Sequence, residues 1–490
     1  MAFGLELYGT RIVDMTPQKS GSEFTVNSHS SDIQADPDVS PLGTGFVVTW
    51  RSNLQDGDSY GSYFQRYNSS GIKLGSETRA NTYTTNSQTD PKVAELDNGD
   101  FVIVWTSLNQ DGDNWGVYGK RFNSSGSAYG SGDTLINTYT TSYQTNQDIA
   151  PLDDGGFVVV WGSMSQDGDS GGIYFQRYDS SFTAQGSETR ANTTTFGSQW
   201  YPAISQLGTG FVIGWQKGND LYAQIFNSSG SKVGSEFTVT TTGTASDLKI
   251  AELSTGDFIV TWDQTTVTDG DSYGIFAQKF NSSGTKVGSE FQVNTYITST
   301  QWKPNIAATS SGYIIVWSSY GQDGNAFGVF GQVFSNDRGY VGNDFQINTN
   351  TIAGQKVPKV AVLSSGNFVV AYYNTWPSRE IYAQMFTPTV ANPREILRFS
   401  TDKIAWNQIA YIDSPADNSQ TYTYSNLGDF TEIKTLQVMQ TDAFSNVGAT
   451  DQRARCATVS ESVNTATTPH SGSVTVSGGN TPTFILVLCR

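Results

Sequence analysis

A net charge of −17 over 490 residues, with charged side chains only 15% of the total, excludes the basic patch that nucleic acid or an anionic membrane surface requires. The two histidines are in no clustered context and no metal set of His and Cys is present, and no apolar run of about 18 residues offers a membrane span. The length suits about three ordinary domains unless one repeat architecture absorbs most of it.

Residues 1–20 read as an extended N-terminal arm. The opening "MAFGLELYG" lacks the charged start and continuous apolar stretch of a secretory leader. "FGLELYGTRIV", Phe3 to Val13, carries β-type residues in partial alternation. Such a segment seeks an unpaired sheet edge, in its own molecule or in a neighbour.

From residue 21 one sentence is written repeatedly. An aromatic-led apolar run begins at Phe46, Phe101, Phe157, Phe211, Phe258, Tyr313 and Phe368, a period of about 55 residues that suits four short strands with their turns. In the second copy strand A is "DPKVAEL", "DNGD" is a tight turn, strand B is "FVIVW", strand C is "VYGKRF", and strand D follows "NSSG". The phase is offset: strand D first appears at "GSEFTVN", Gly21 to Asn27, whereas the last A-B-C set has no D strand after it. One strand at the start completes three at the end, which a closed ring needs because it removes open edges. The predicted fold is therefore all-β, a seven-bladed β-propeller over residues 21–386 closed by the N-terminal strand.

"TPTVANPR", residues 387–394, reads as a linker. Residues 395–490 alternate strand-like runs with Gly, Asn and Ser turns, and their default reading is a small Ig-like β-sandwich. Cys456 and Cys489 both fall there, an even number that suggests one disulfide and an extracellular setting.

In a four-stranded meander, the B–C and D–A loops emerge on one face of the ring and the A–B and C–D loops on the other. The B–C loops carry Asp56 and Asp58, Asp111 and Asp113, Asp167 and Asp169, Asp269 and Asp271, and Asp323 with Asn325. Oxygen ligands two residues apart around a glycine suit calcium, which needs further carbonyls or a neighbouring loop; equally, Asp-Gly makes a turn whose aspartate caps freed amides. On the same face Tyr60, Tyr83, Trp115, Tyr139, Phe196, Trp200, Tyr296 and Trp302 suggest an aromatic and acidic surface for a carbohydrate, or else rings packed between blades. The opposite face carries sequons at Asn68, Asn123, Asn227 and Asn281, with a further one at Asn192 on the loop-rich face. Gln65, Gln176, Gln224, Gln278, Gln332 and Gln384 recur in strand C, with Lys120 in their place in the second copy. They read as structural, bonding across blades.

The elements "FVVxW", "QDG", "Y/F-x-Q-R/K-F" and "G-S-E-F-x-V-N" over residues 21–386 resemble repeats of large bacterial calcium-binding, haemolysin-type adhesins. That resemblance implies extracellular display and calcium, although the Gly-rich nonapeptides of that class are missing here. "DNGDFVIVW" resembles the aspartate box of sialidases, but the arginines sit mainly in strand C or after strand D, not as a convergent set of three. His29 and His470 are isolated, and no nucleophile elbow or phosphate loop is present. The sequence therefore predicts a non-enzymatic extracellular structural or adhesive protein. Its arm, added to a neighbour's C-terminal domain, would build a head-to-tail filament. The alternatives are a lectin-like propeller and, behind it, a glycosidase-type propeller enzyme. No cofactor besides calcium is indicated.

Overall fold

The computed structural model describes residues 10–13, 17–265, 273–337, 340–376 and 379–387, together with the backbone strands 395–398, 419–424, 433–440, 455–456, 458–464, 471–477 and 483–489. The chain divides into two units. One comprises residues 17–338 and 343–388; the other comprises 1–16, 339–342 and 389–490. No helix occurs among the described residues, and so none long and apolar enough to cross a membrane.

The larger unit is a seven-bladed β-propeller of antiparallel four-stranded sheets. Its inner strands are Gln34–Leu42, Gln88–Glu95, Gln144–Pro151, Gln199–Leu207, Thr244–Glu252, Gln301–Ala308 and Gln355–Val362, each packed beside the inner strand of the next blade. Strand B is apolar at nearly every position because both its faces are covered: Phe101, Val102, Ile103, Val104 and Trp105 are all fully buried. Each blade carries one stacked pair between strands B and C, as in Phe46–Tyr67 (4.8 Å), Phe211–Phe226 (5.0 Å) and Phe368–Phe386 (4.8 Å). Trp50, Trp105, Trp161, Trp215, Trp262 and Trp317 fill one position of successive blades, and Tyr372 fills it in the seventh, all completely buried.

The fourth strand of the seventh blade is Gln18–Thr25, antiparallel to Ile381–Thr387. Two further bonds fix its end: Val26 N donates to Ile381 O at 2.8 Å, and Ile381 N donates to Asn27 Oδ1 at 2.8 Å. Val26, Phe46 and Trp50 share one core with Leu363, Val369 and Met385, so the seventh blade packs on the first.

Polar staples join neighbouring blades. The acid of each strand D caps the D–A loop of the preceding blade: Glu188 accepts from Thr138 N at 2.6 Å, Glu236 from Thr193 N at 2.7 Å, Asp344 from Thr295 N at 2.9 Å and Glu23 from Thr349 N at 2.6 Å. The strand-C glutamines bond within their own blade, contrary to the cross-blade expectation. Gln65 Nε2 donates to Arg66 O and to Leu74 O and Gly75 O of strand D, where the backbone register skips from Phe64 to Arg66. In the second blade Lys120 pairs with Asp133 at 2.8 Å instead.

In the second unit, Thr10–Val13 lies antiparallel to Glu395–Arg398 of the same chain, with Thr10 opposite Arg398. Two three-stranded antiparallel sheets follow. One orders Ser419–Tyr424, Ser471–Ser477 and Thr458–Asn464; the other orders Arg455–Cys456, Ile433–Gln440 and Thr483–Cys489. The register keeps the two cysteines apart. Cys456 stands opposite Met439 and Cys489 opposite Ile433, on different flanking strands and separated along the central one. At about 3.3 Å per residue that separation is roughly 20 Å along the central strand; the two cysteine side chains, and with them the expected disulfide, lie outside the described residues.

Candidate functional site

A repeated distortion of the inner strands builds the site. Each inner strand breaks register with strand B across two residues, at 36–37, 90–91, 146–147, 201–202, 247–248, 303–304 and 357–358. The first residue of each pair has left-handed backbone, with φ of 51° to 57°: Asp36, Asp90, Asn146, Tyr201, Asp247, Lys303 and Val357. None is glycine, and for β-branched Val357 this geometry is an outlier. Proline follows in five blades, as Pro37, Pro91, Pro202, Pro304 and Pro358, because a bulged position has no ladder bond for it to break. A ring of strained residues at one level is the kind of feature that clusters at functional sites.

These bulges line a cavity of about 230 Å³ on the channel axis, near the ends of the inner strands that follow the D–A loops. Its wall is rich in charge. Asp36, Asp90 and Asp247 come from the bulges together with Lys303, while Lys92, Lys249 and Lys359 come from two residues further along their strands. Arg51 Nε lies 2.7 Å from Asp36 Oδ2, and Lys303 Nζ lies 2.7 Å from Asp247 Oδ1. Burial and the neighbouring Asp90 charge raise the Asp36 carboxyl above the usual aspartate range, against the pull of Arg51. Asp263, nine-tenths buried behind the wall, is pushed up to about 7 by burial and by Asp247, although Lys303 N donates to its Oδ2 at 2.9 Å. Lys359, enclosed among Lys249 and Lys92, falls to about 7, burial being the main cause. The cavity thus sets Asp36, its carboxyl raised, beside Asp90, Asp247 and four lysines.

The Asp-Gly-Asp loops do something else. Their first aspartate turns back on its own loop: Asp111 Oδ1 accepts from Asp113 N and Asp167 Oδ1 from Asp169 N, both at 3.3 Å. Its other oxygen fills the space over the glycine that opens strand C, where a Cβ at Gly61, Gly116 or Gly328 would sit 2.6 Å from Asp56, Asp111 or Asp323 Oδ2, and one at Gly172 2.7 Å from Asp167 Oδ2. The second acid holds the D–A loop. Asp58 accepts from Asn86 N at 2.8 Å, Asp113 from Ser142 N and Asp169 from Gly197 N at 2.9 Å, whereas Asn325 donates to Thr351 O at 3.0 Å. Among the described residues no three acidic, His or Cys groups converge as metal ligands. Asp269 and Asp271 lie outside the described residues.

Of the eight aromatics expected to form one surface, only Phe196 is mostly exposed, at 81%. Tyr60, Tyr83, Trp115, Tyr139 and Tyr296 are half-buried. Trp200 packs on the preceding blade, where a Cβ at Gly162 would lie 2.4 Å from its ring, and Trp302 stacks with Phe327 at 5.3 Å. Four exposed rings that sequence reasoning missed join Phe196 on the loop face or the cavity wall: Trp376 (61%), Tyr201 (54%), Tyr320 (47%) and Tyr143 (42%).

The sequons divide. Asn68, Asn123, Asn227 and Asn281 sit in exposed C–D turns, each side-chain oxygen accepting the amide two residues on. Asn192 is completely buried and cannot be a glycan acceptor in this fold. Its Oδ1 accepts from Ile173 N at 2.8 Å, and its Nδ2 donates to Thr194 O at 2.9 Å and Gln199 Oε1 at 3.0 Å. Asn81, Asn137, Asn294 and Asn348 repeat that bond to strand C.

No protein-family model matches the chain, and no curated protein does. Solved structures match as propellers. One is a Dyadobacter fermentans protein of unknown function, 10% identical, with TM-score 0.45, covering 76% of this chain and 99% of that one. Another is the NanB sialidase of Streptococcus pneumoniae, 11% identical, with TM-score 0.43, covering 75% and 70%. A third is the Penicillium chrysogenum α-L-arabinanase complexed with arabinobiose, 15% identical, with TM-score 0.43, covering 60% and 92%. At these identities the likeness is one of fold. The second and third are by name a sialidase and an arabinanase, against the expectation of a non-enzymatic adhesive protein, and the arm's strand pairs with Glu395–Arg398 of its own chain rather than being offered to a neighbour in a filament.

Proposed function

We propose that the protein acts on a glycan at the mouth of the propeller channel as a glycosidase-type enzyme. The observation that carries this reading is the adjacency of Asp36 and Asp90, two left-handed bulge residues of consecutive blades lining one cavity. Asp36, with its raised carboxyl, is the proton donor to the leaving oxygen, and Asp90 is the second carboxyl of the pair. Arg51 holds one oxygen of Asp36 and fixes its orientation. Tyr201 and Phe196 offer ring faces against which sugar rings pack. The C-terminal strands are read as an Ig-like sandwich accompanying the propeller, a reading supported by their two three-stranded sheets.

The test is a panel of oligosaccharides incubated with the full chain and with Asp36→Asn and Asp90→Asn. Cleavage of a panel member by the parent and not by either variant is expected. Binding without cleavage by all three proteins would leave the lectin-like alternative, and neither binding nor cleavage would reject the reading.

A further inference from the structure

Two residues beyond the bulge, the inner strands carry Asp38, Lys92, Asp148, Ala203, Lys249, Asn305 and Lys359 in blade order. Three of these face sideways into the ring wall. Asp38 accepts from Val93 N at 3.0 Å, Asn305 Oδ1 from Val360 N at 2.9 Å and Asp148 from Ile204 N at 3.4 Å, each stapling its strand to the next blade. The lysines are left to the cavity, which Lys92, Lys249 and Lys359 all line. Lys92 Nζ reaches only Asp90 O and Pro91 O, both at 3.5 Å. Among the described residues no hydrogen bond or ion pair within the chain is made by Lys249 or Lys359. In a chain with 45 acidic side chains against 28 basic ones, three lysine amines are gathered from blades two, five and seven; Asp38 and Asp148 act on Lys359 only at a distance, and burial with Lys249 and Lys92 outweighs them.

We propose that this level of the channel binds the acidic group of a saccharide, a uronate carboxylate or a sulfate ester, on Lys92, Lys249 and Lys359. The assignment of a sugar rests on the glycan reading above; the assignment of an anion rests on the lysines alone. The carboxylates of Asp36, Asp90 and Asp247, at the mouth, then face the neutral part of the ligand. An anion between three amines relieves their mutual repulsion and supplies oxygen acceptors to the lysines directly.

The experiment is calorimetric titration of the full chain with sodium sulfate, with an oligouronate, with a sulfated oligosaccharide and with a neutral oligosaccharide. It is repeated on Lys359→Met and Lys249→Met. Either variant suffices should the other fail to fold, since each removes one of the three charges. Expected are binding of sulfate by the parent and a loss of at least about tenfold in each variant. Affinity should also decline as pH rises above about 7, where free Lys359 gives up its proton among Lys249, Lys92, Asp38 and Asp148. A purely structural lysine would not produce that pH dependence. The uronate and sulfated arms show which acid is preferred. Anion binding unchanged in both variants, or absent from the parent, overturns the site. A neutral oligosaccharide cleaved equally by parent and variants overturns it too, while leaving the glycan reading intact. Lysine-dependent sulfate binding without any saccharide binding supports the anion site and removes the sugar.

Discussion

Arg51 Nε stands 2.7 Å from Asp36 Oδ2, and the same guanidinium lies over the Tyr60 ring at 4.7 Å. The Tyr60 ring on strand C and the carboxylate on strand A hold the strand-B guanidinium between them, so one residue both orients the Asp36 carboxyl and tempers its proton affinity.

Removing that tempering charge should move the pH profile of any glycan cleavage. In Arg51→Met the Asp36 carboxyl rises further, since burial and Asp90 already raise it and Arg51 opposes them. The alkaline limb should therefore shift to higher pH, measured as kcat/KM against pH. Asp36→Asn should lower kcat by about 100-fold or more with binding retained.

The buried carboxyl of Asp263 should leave a signature in stability. Its folded value is raised to about 7 from an unfolded value near 3.8. Its contribution is therefore full below the unfolded value and is lost as pH rises through the folded one. Melting temperature should fall between about pH 4 and pH 7 by more in the parent than in Asp263→Asn, a difference of a few kcal/mol at most.

Asp113 caps Ser142 N, a residue with φ of 68°. Asp113→Ala should cost about 1 kcal/mol in denaturant unfolding. The loss should be the same in calcium and in chelator if holding the loop is the whole role; a loss confined to calcium-containing buffer would show an ion there.

Asn192 should remain unmodified when the chain is expressed in a host that glycosylates, while Asn68, Asn123, Asn227 and Asn281 are open to it; peptide mass spectrometry reads this directly. Asn192→Ala should cost about 1–3 kcal/mol, because it strands Ile173 N in a dry interior.

Deleting residues 1–27 removes the strand paired with Ile381–Thr387 and leaves that strand as an open edge. The shortened chain should aggregate or melt well below the parent. Equal melting would show that the ring does not depend on this strand.

The blades were legible because their signals are local and repeated: "FVIVW" for a doubly covered strand, "NSSG" for a turn. The offset of the D strands likewise pointed to seven blades. The site was not legible, because its residues share a level of the ring while differing in type. Asp36, Tyr201, Lys303 and Val357 have nothing in common until the backbone aligns them. A clue was present in the recurring proline inside an otherwise regular inner strand, a residue that marks a bulge. The Asp-Gly-Asp loops drew attention because they recur, and they recur because each solves the same turn problem. The aromatics were misjudged for a related reason: spacing places Trp200 in a loop-proximal position but says nothing of the glycines in the preceding blade that make room for it.

Seven non-glycine residues in left-handed backbone cost on the order of 1 kcal/mol or more each, a total comparable to the whole net stability of an ordinary domain. No single blade has reserves of that size, and each kink persists only because the strands on either side hold it. Assembly should therefore be all-or-none around the circle, with partial rings too poor in neighbours to accumulate. Evolution of such a chain from repeated blades would have had to acquire the kinks after the circle was already complete.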